Sequence, residues 1–147
     1  MHLPVQLSQA LPDKGVSVYS HDRLTFTVLR TLTPAQINAG APLIPSTVVI
    51  PGKFQLVNLL MVVSGGAITT LTDVRISDNS STPNDVAVVA VANLTDNSKH
   101  SLQSANTTLT IANLMAGSVN GYQVRKTGGT GAGGNLNVIA TFQIKGV

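Results

Sequence analysis

An all-β, antiparallel sandwich or barrel is the fold class this sequence predicts, on three observations. Seven or eight short segments rich in β-branched and aromatic residues recur along the chain, separated by clusters of Gly, Pro, Asn, Asp and Ser. All six acidic residues are Asp, and only five Lys and four Arg accompany them. Glu and Lys are the usual fillers of exposed helix faces, whereas Asp belongs to turns and caps, so helices do not dominate. Charged residues make up 10% against 43% hydrophobic residues and a mean hydropathy of +0.27, well under the roughly 25% charge of ordinary soluble domains. Ser, Thr, Asn and Gln must wet this surface. Neutral amides and hydroxyls cost less to bury than ions, which favours broad protein interfaces. The 147 residues suit one domain with a substantial core.

Residues 1–23 are mixed in character, interrupted by Pro4 and Pro12 and a PDKG turn, with Val5, Leu7 and Leu11 apolar but not periodic. They read as an extended N-terminal arm ahead of a sandwich over 24–147, and those three side chains are the candidate interface residues. LTFTVLRTL (24–32) alternates as a half-buried strand does. TPAQINAG (33–40) carries Thr33 as N-cap, Pro34 at the first helical position, Gln36 three beyond the cap and Gly40 as terminator, which predicts one short helix. FQLVNLLMVV (54–63) is nearly continuous in apolar residues and predicts a central strand buried on both sides. LTDVRIS (71–77) places Leu71, Asp73 and Arg75 on one face and Thr72, Val74 and Ile76 on the other, as in a strand with one wet face. After the turn-rich DNSSTPND comes VAVVAVANL, then TTLTIANL, GYQVRKT and LNVIATFQI, all read as strands. The expected core draws on Val57, Leu59, Met61, Val88, Val138 and Phe142.

GGTGAGGN (128–135) satisfies G-x-G-x-x-G from Gly129 to Gly134. Dinucleotide binding needs a helix after the glycines and an acidic residue further on. Here a strand-like segment follows, and no Asp or Glu occurs after Asp96. The run reads instead as a flexible loop joining GYQVRKT to LNVIATFQI as two antiparallel strands. No cofactor is expected.

Catalytic and metal constellations are not visible. The chain has no cysteine, and His2, His21 and His100 stand apart, out of any metal-ligand spacing, and read as surface residues. No G-x-S-x-G occurs. Asp73 and Arg75 read as a same-face surface ion pair, with no third polar partner visible; a ligand-binding pair is the alternative. No catalytic, cofactor or metal residue is therefore named, and a non-enzymatic role is expected. Basic residues are scattered singly among only five aromatics, so nucleic acid is not an expected partner. The longest apolar run has ten residues, too short for a helical membrane span.

The stretch LTPAQINAGAPLIPSTVVIPGKFQLVNLLMVVSGGA, with its LT…IN.G turn, LIP segment, PGK entry and GGA exit, resembles small β-sandwich decoration (cement) proteins of tailed bacteriophages. VAVVAVANLTDNS and KTGGTGAGGNLNVIATFQI extend that similarity over roughly residues 30–147. The resemblance implies a jelly-roll-like sandwich that binds the outside of the assembled phage head. The major capsid protein would be its partner, itself a second one as a homotrimer, and the virion surface its location after assembly in the host cytoplasm. Residues 1–23 have no counterpart in the pattern. An alternative is a tail, base-plate or head-fibre module that binds another virion protein or a host glycan, the latter through a groove lined by Tyr19, Tyr122 or clustered Asp.

Overall fold

The computed structural model describes residues 16–20, 25–45, 47–48, 53–79, 81–101, 108–109 and 121–145, with 16–20, 108–109 and 145 described by backbone alone. Among the described residues, ten strands form two five-stranded antiparallel sheets. They are β1 (Val16–Ser20), β2 (Thr25–Leu32), β3 (Ala41–Pro42), β4 (Lys53–Thr69), β5 (Asp73–Asp78), β6 (Asp85–Ala90), β7 (Lys99–Ser101), β8 (Thr108–Leu109), β9 (Tyr122–Thr127) and β10 (Ala132–Lys145). Sheet A has the order β1-β2-β10-β4-β7 and sheet B the order β3-β9-β5-β6-β8. The chain is an antiparallel all-β sandwich. Strand β1 lies within the segment read as an arm and pairs with β2 from Val16↔Arg30 to Ser20↔Phe26. Val5, Leu7 and Leu11 lie outside the described residues.

One apolar cluster fills the space between the sheets. Phe26, Val28 and Leu32 of β2, Leu136, Val138 and Phe142 of β10, and Val74, Ile76, Val89 and Val124 from sheet B are all buried in it. Phe142 is its hub, stacked on Phe26 at 5.2 Å between ring centroids and edge-on to Phe54 at 5.5 Å. Tyr122 of sheet B reaches across to Phe142 at 5.3 Å. Each such side chain contributes roughly 1.5–3 kcal/mol by leaving water. Leu59, Met61, Val138 and Phe142 are core residues as the pattern predicts.

Val57 and Val88 are not. The pairing of β10 with β4 slips between Thr141↔Asn58 and Phe142↔Leu56, so Val57 is an extra residue in a β-bulge. The inward set of β4 accordingly changes parity there, from Phe54 and Leu56 to Leu59, Met61 and Val63. Val88 sits opposite Arg75, facing outward, while Ala87 and Val89 face in. Nor is β4 buried on both sides: Asn58 is exposed, and Leu60 and Val62 are only half-buried on its outer face. The central strand of sheet A is β10.

The short helix α1 (Pro34–Ala39) has the predicted capping box. The Thr33 N–H donates to Gln36 Oε1 at 2.9 Å and the Gln36 N–H to Thr33 Oγ1 at 3.4 Å. Gly40 ends it with φ of 73°, and the helix plugs the sandwich with the fully buried Ile37.

The glycine run differs from its sequence reading. Strands β9 and β10 belong to different sheets and do not pair, so the segment is a crossing between sheets and not a hairpin loop. It is closely packed. A Cβ at Gly129 would stand 1.9 Å from the Thr70 carbonyl oxygen, and one at Gly134 2.0 Å from that of Gly66. Asn38 clamps the crossing to α1, accepting from the Gly131 N–H at 2.7 Å and donating to the Gly131 carbonyl at 3.0 Å. Lys126 Nζ donates to the carbonyls of Gly128 and Gly129. From Ala132 onward the glycines already belong to β10, paired with β4.

Candidate interaction surface

Period-two alternation sends Phe26, Val28, Arg30 and Leu32 of β2 inward and Thr25, Thr27, Leu29 and Thr31 outward. On β10, Asn137, Ile139, Thr141 and Gln143 face outward; on β4 beyond the bulge, Asn58, Leu60 and Val62 do. None of these outward residues is charged. Lys53 and Lys99 are exposed at the rim of the face, in register with Lys145 and Val62 respectively.

The register arranges this face in rows. Ile139 pairs with Leu29 on one side and Leu60 on the other, Leu29 pairs with Ser17, and Leu60 pairs with Ser101. One row therefore reads Ser-Leu-Ile-Leu-Ser across the whole sheet. Leu29 and Ile139, each 36% exposed, are the exposed large hydrophobic residues among the described residues, and they are direct cross-strand partners. In the rows above and below, the polar pairs on β2 and β10 bond to each other, and Val62 and Lys99 extend one of them. Thr27 and Thr141 share a hydroxyl hydrogen bond of 3.0 Å. Thr31 donates to Asn137 Oδ1 at 2.9 Å, and Asn137 Nδ2 donates to Ser64 Oγ at 2.8 Å and the Val62 carbonyl at 3.1 Å. Covering such a face leaves few polar groups stranded, which lowers the cost of burying it.

The outer face of sheet B is built on the opposite principle. Asp73 and Arg75 form the predicted same-face pair, bidentate at 2.7 and 2.8 Å, but further partners arrive from β6 and β9. Arg75 Nη1 donates to Asp85 Oδ2 at 2.6 Å, and Arg125 donates to Asp85 Oδ1 at 2.7 Å and to Ser77 Oγ at 2.8 Å. Ser77 donates to Asp85 and Thr127 to Asp73. Hydrogen bonding by Arg75 holds the Asp73 carboxyl below its ordinary range against the opposing effect of burial. For Asp85, burial is the largest single influence and pushes upward, but the bonds from Ser77, Arg125 and Arg75 together bring it below as well. Two carboxylates facing two guanidinium groups leave the cluster neutral. Its donors and acceptors serve each other.

His100, read as a surface residue, is buried. It lies on the inward side of the edge strand β7, opposite Met61, and is 1% exposed. Its Nε2 lies 3.0 Å from the Asn93 carbonyl and 3.1 Å from Ser98 Oγ. Burial lowers its pKa below the ordinary histidine value, so the neutral ring is favoured. The polar neighbours in NLTDNSKHSL suggest surface; a three-residue strand is too short to announce its inward position by periodicity. Tyr122 is likewise buried, and Asp73 and Asp85 are engaged by arginines. No group of three or more His, Cys, Asp or Glu suited to a metal occurs among the described residues. His2, His21 and the side chain of Tyr19 lie outside the description.

The face of sheet A was not visible as a site in the sequence. Its signal was present in part: Leu60 and Val62 are apolar residues at outward positions, which a one-sided strand ordinarily fills with polar ones. No family model, curated protein or solved structure matches the chain.

Proposed function

We propose that the chain is a virion structural protein, a decoration or cement protein that binds the outer surface of an assembled tailed-phage head and stabilises it. The observation that carries this reading is the outer face of sheet A, free of charge across its middle, with Leu29 and Ile139 exposed at its centre and the Thr27–Thr141 and Thr31–Asn137 pairs bonded to one another. Such a face gains by being covered. The resemblance of residues 30–147 to phage decoration proteins supplies the virion setting and names the major capsid protein as partner, with a trimer as the assembly unit. Strand order supports a jelly roll as the finer description of the sandwich. The chain passes from sheet to sheet through β2, β3, β4, β5 with β6, β7, β8 with β9, and β10, and β10 is inserted between β2 and β4. A glycan-binding fibre or base-plate module has less support, since Tyr122 and the Asp73–Asp85 cluster offer no open platform.

Mechanically, a cement protein holds neighbouring capsid subunits together by many contacts at once. Modest single affinities then multiply through effective concentration. Mixing the purified chain with heads that lack it tests the reading. Saturable retention on sedimented particles is expected. Heads that retain none of the chain at any concentration would refute the proposal.

A further inference from the structure

We infer that the outer face of sheet A packs against the same face of a second copy of this chain, across a two-fold axis close to Ile139. The inference rests on the proposed assembly role: pairing covers sheet A within the assembly unit and leaves contact with the head to the unit's other surfaces.

Self-complementarity is built into the register. The row Ser17–Leu29–Ile139–Leu60–Ser101 reads the same from either edge of the sheet, with Ile139 on the central strand. A two-fold axis lying in the plane between two such faces brings this row over an equivalent row, whether the axis runs along β10 or across it. Ile139 then meets Ile139, and leucine meets leucine. That is the requirement of an isologous interface, in which one patch must fit itself. Packed sheet faces of this kind lie about 10 Å apart, with side chains interdigitating.

Charge points the same way. A face selected for an acidic or a basic partner would carry the complementary sign across its middle, and this one carries none. Among the described residues of its strands, the charged ones at its rim are Lys53 and Lys99. Like charges on two copies repel weakly there, in water, and salt screens them. Size is adequate as well. Strands about 4.8 Å apart, with β2, β10 and β4 spanning the roughly 26 Å length of β2 and β1 and β7 shorter, give a face of roughly 500 Å² per copy, or about 1,000 Å² for the pair, the lower bound of specific interfaces.

The absence of cysteine makes the test direct. Ile139→Cys places one thiol at the proposed axis, and Val88→Cys places one on the outer face of sheet B as control. A short bis-maleimide should convert the first into a covalent dimer in high yield and the second not at all. In parallel, light scattering on the native chain should show paired copies, either a dimer or two trimers joined face to face as a hexamer, whose association is unchanged or strengthened by added salt. Ile139→Asp, which would bury an unpaired carboxylate against its mate, should weaken that association at least about a hundredfold, with its melting temperature reporting that the sandwich remains folded. A native chain that is monomeric at all concentrations overturns the inference, as does an oligomer that Ile139→Asp leaves intact. If Ile139→Asp abolishes retention on phage heads while self-association persists, the face belongs to the capsid protein. The inference then falls while the proposed function stands. If self-association responds as described but no particle retains the chain, the interface stands and the functional reading fails.

Discussion

Gly134 has an unremarkable backbone conformation, yet a methyl group there would meet the carbonyl oxygens of Gly66 at 2.0 Å and Ser64 at 2.8 Å. Gly65, only a few residues away across the pairing, has φ of 75° and open space around its Cβ position. The two positions separate the two reasons a protein uses glycine: room for a neighbouring backbone, and access to left-handed conformation. Gly65→Ala should cost about 1 kcal/mol, the conformational penalty alone. Gly134→Ala should cost about 3 kcal/mol, at the upper end for overpacking, because the obstacle is backbone and cannot rotate away. Equal urea midpoints for the two variants would contradict the close crossing. None of this was legible in GGTGAGGN, since a motif of spacings does not reveal which distant backbone lies against it.

Strands differ in how far their sequences betray them. The capping box of α1 and the alternation of β2 and β5 are local, set by residues within a few positions of one another, and the structure has them where the pattern puts them. The bulge at Val57 is different in kind. It arises from fitting β4 to β10, some 80 residues later in the chain, and a period-two reading of FQLVNLLMVV has no means of sensing it. The same holds for the ion cluster. Asp73 and Arg75 are visible as a pair, but Asp85 and Arg125 join them only because β5 pairs with both β6 and β9. Arg75→Met should therefore cost more than an isolated surface pair, about 1–3 kcal/mol, since it leaves Asp73 without its cation and Asp85 with one instead of two. Asp73→Asn combined with Arg75→Met should recover part of that loss, as measured by chemical denaturation. Full additivity of the two changes would mean that no coupling exists within the cluster.

Stability against acid integrates these sites over the molecule. His100 has its folded-state pKa lowered by burial, so the unfolded chain takes the proton first; its contribution is complete above about pH 6.5 and is lost as pH falls from there through the depressed folded value. Asp73 and Asp85, also lowered, contribute fully above about pH 4 and lose that contribution only below it. Unfolding free energy should thus decline in two steps on acidification. His100→Gln should abolish the upper step and leave the lower, and a variant that retains both would remove His100 from the account. At the same scale, the insertion of β10 between β2 and β4 bears on biosynthesis. During translation the strands of sheet A emerge first as two halves, β1 with β2 and β4 with β7, each with an unsatisfied edge where β10 will later lie. No ribosome-bound intermediate lacking β10 can complete the sandwich, so folding waits on the last strand, and the nascent chain must be kept from pairing those open edges with a neighbour on the same polysome.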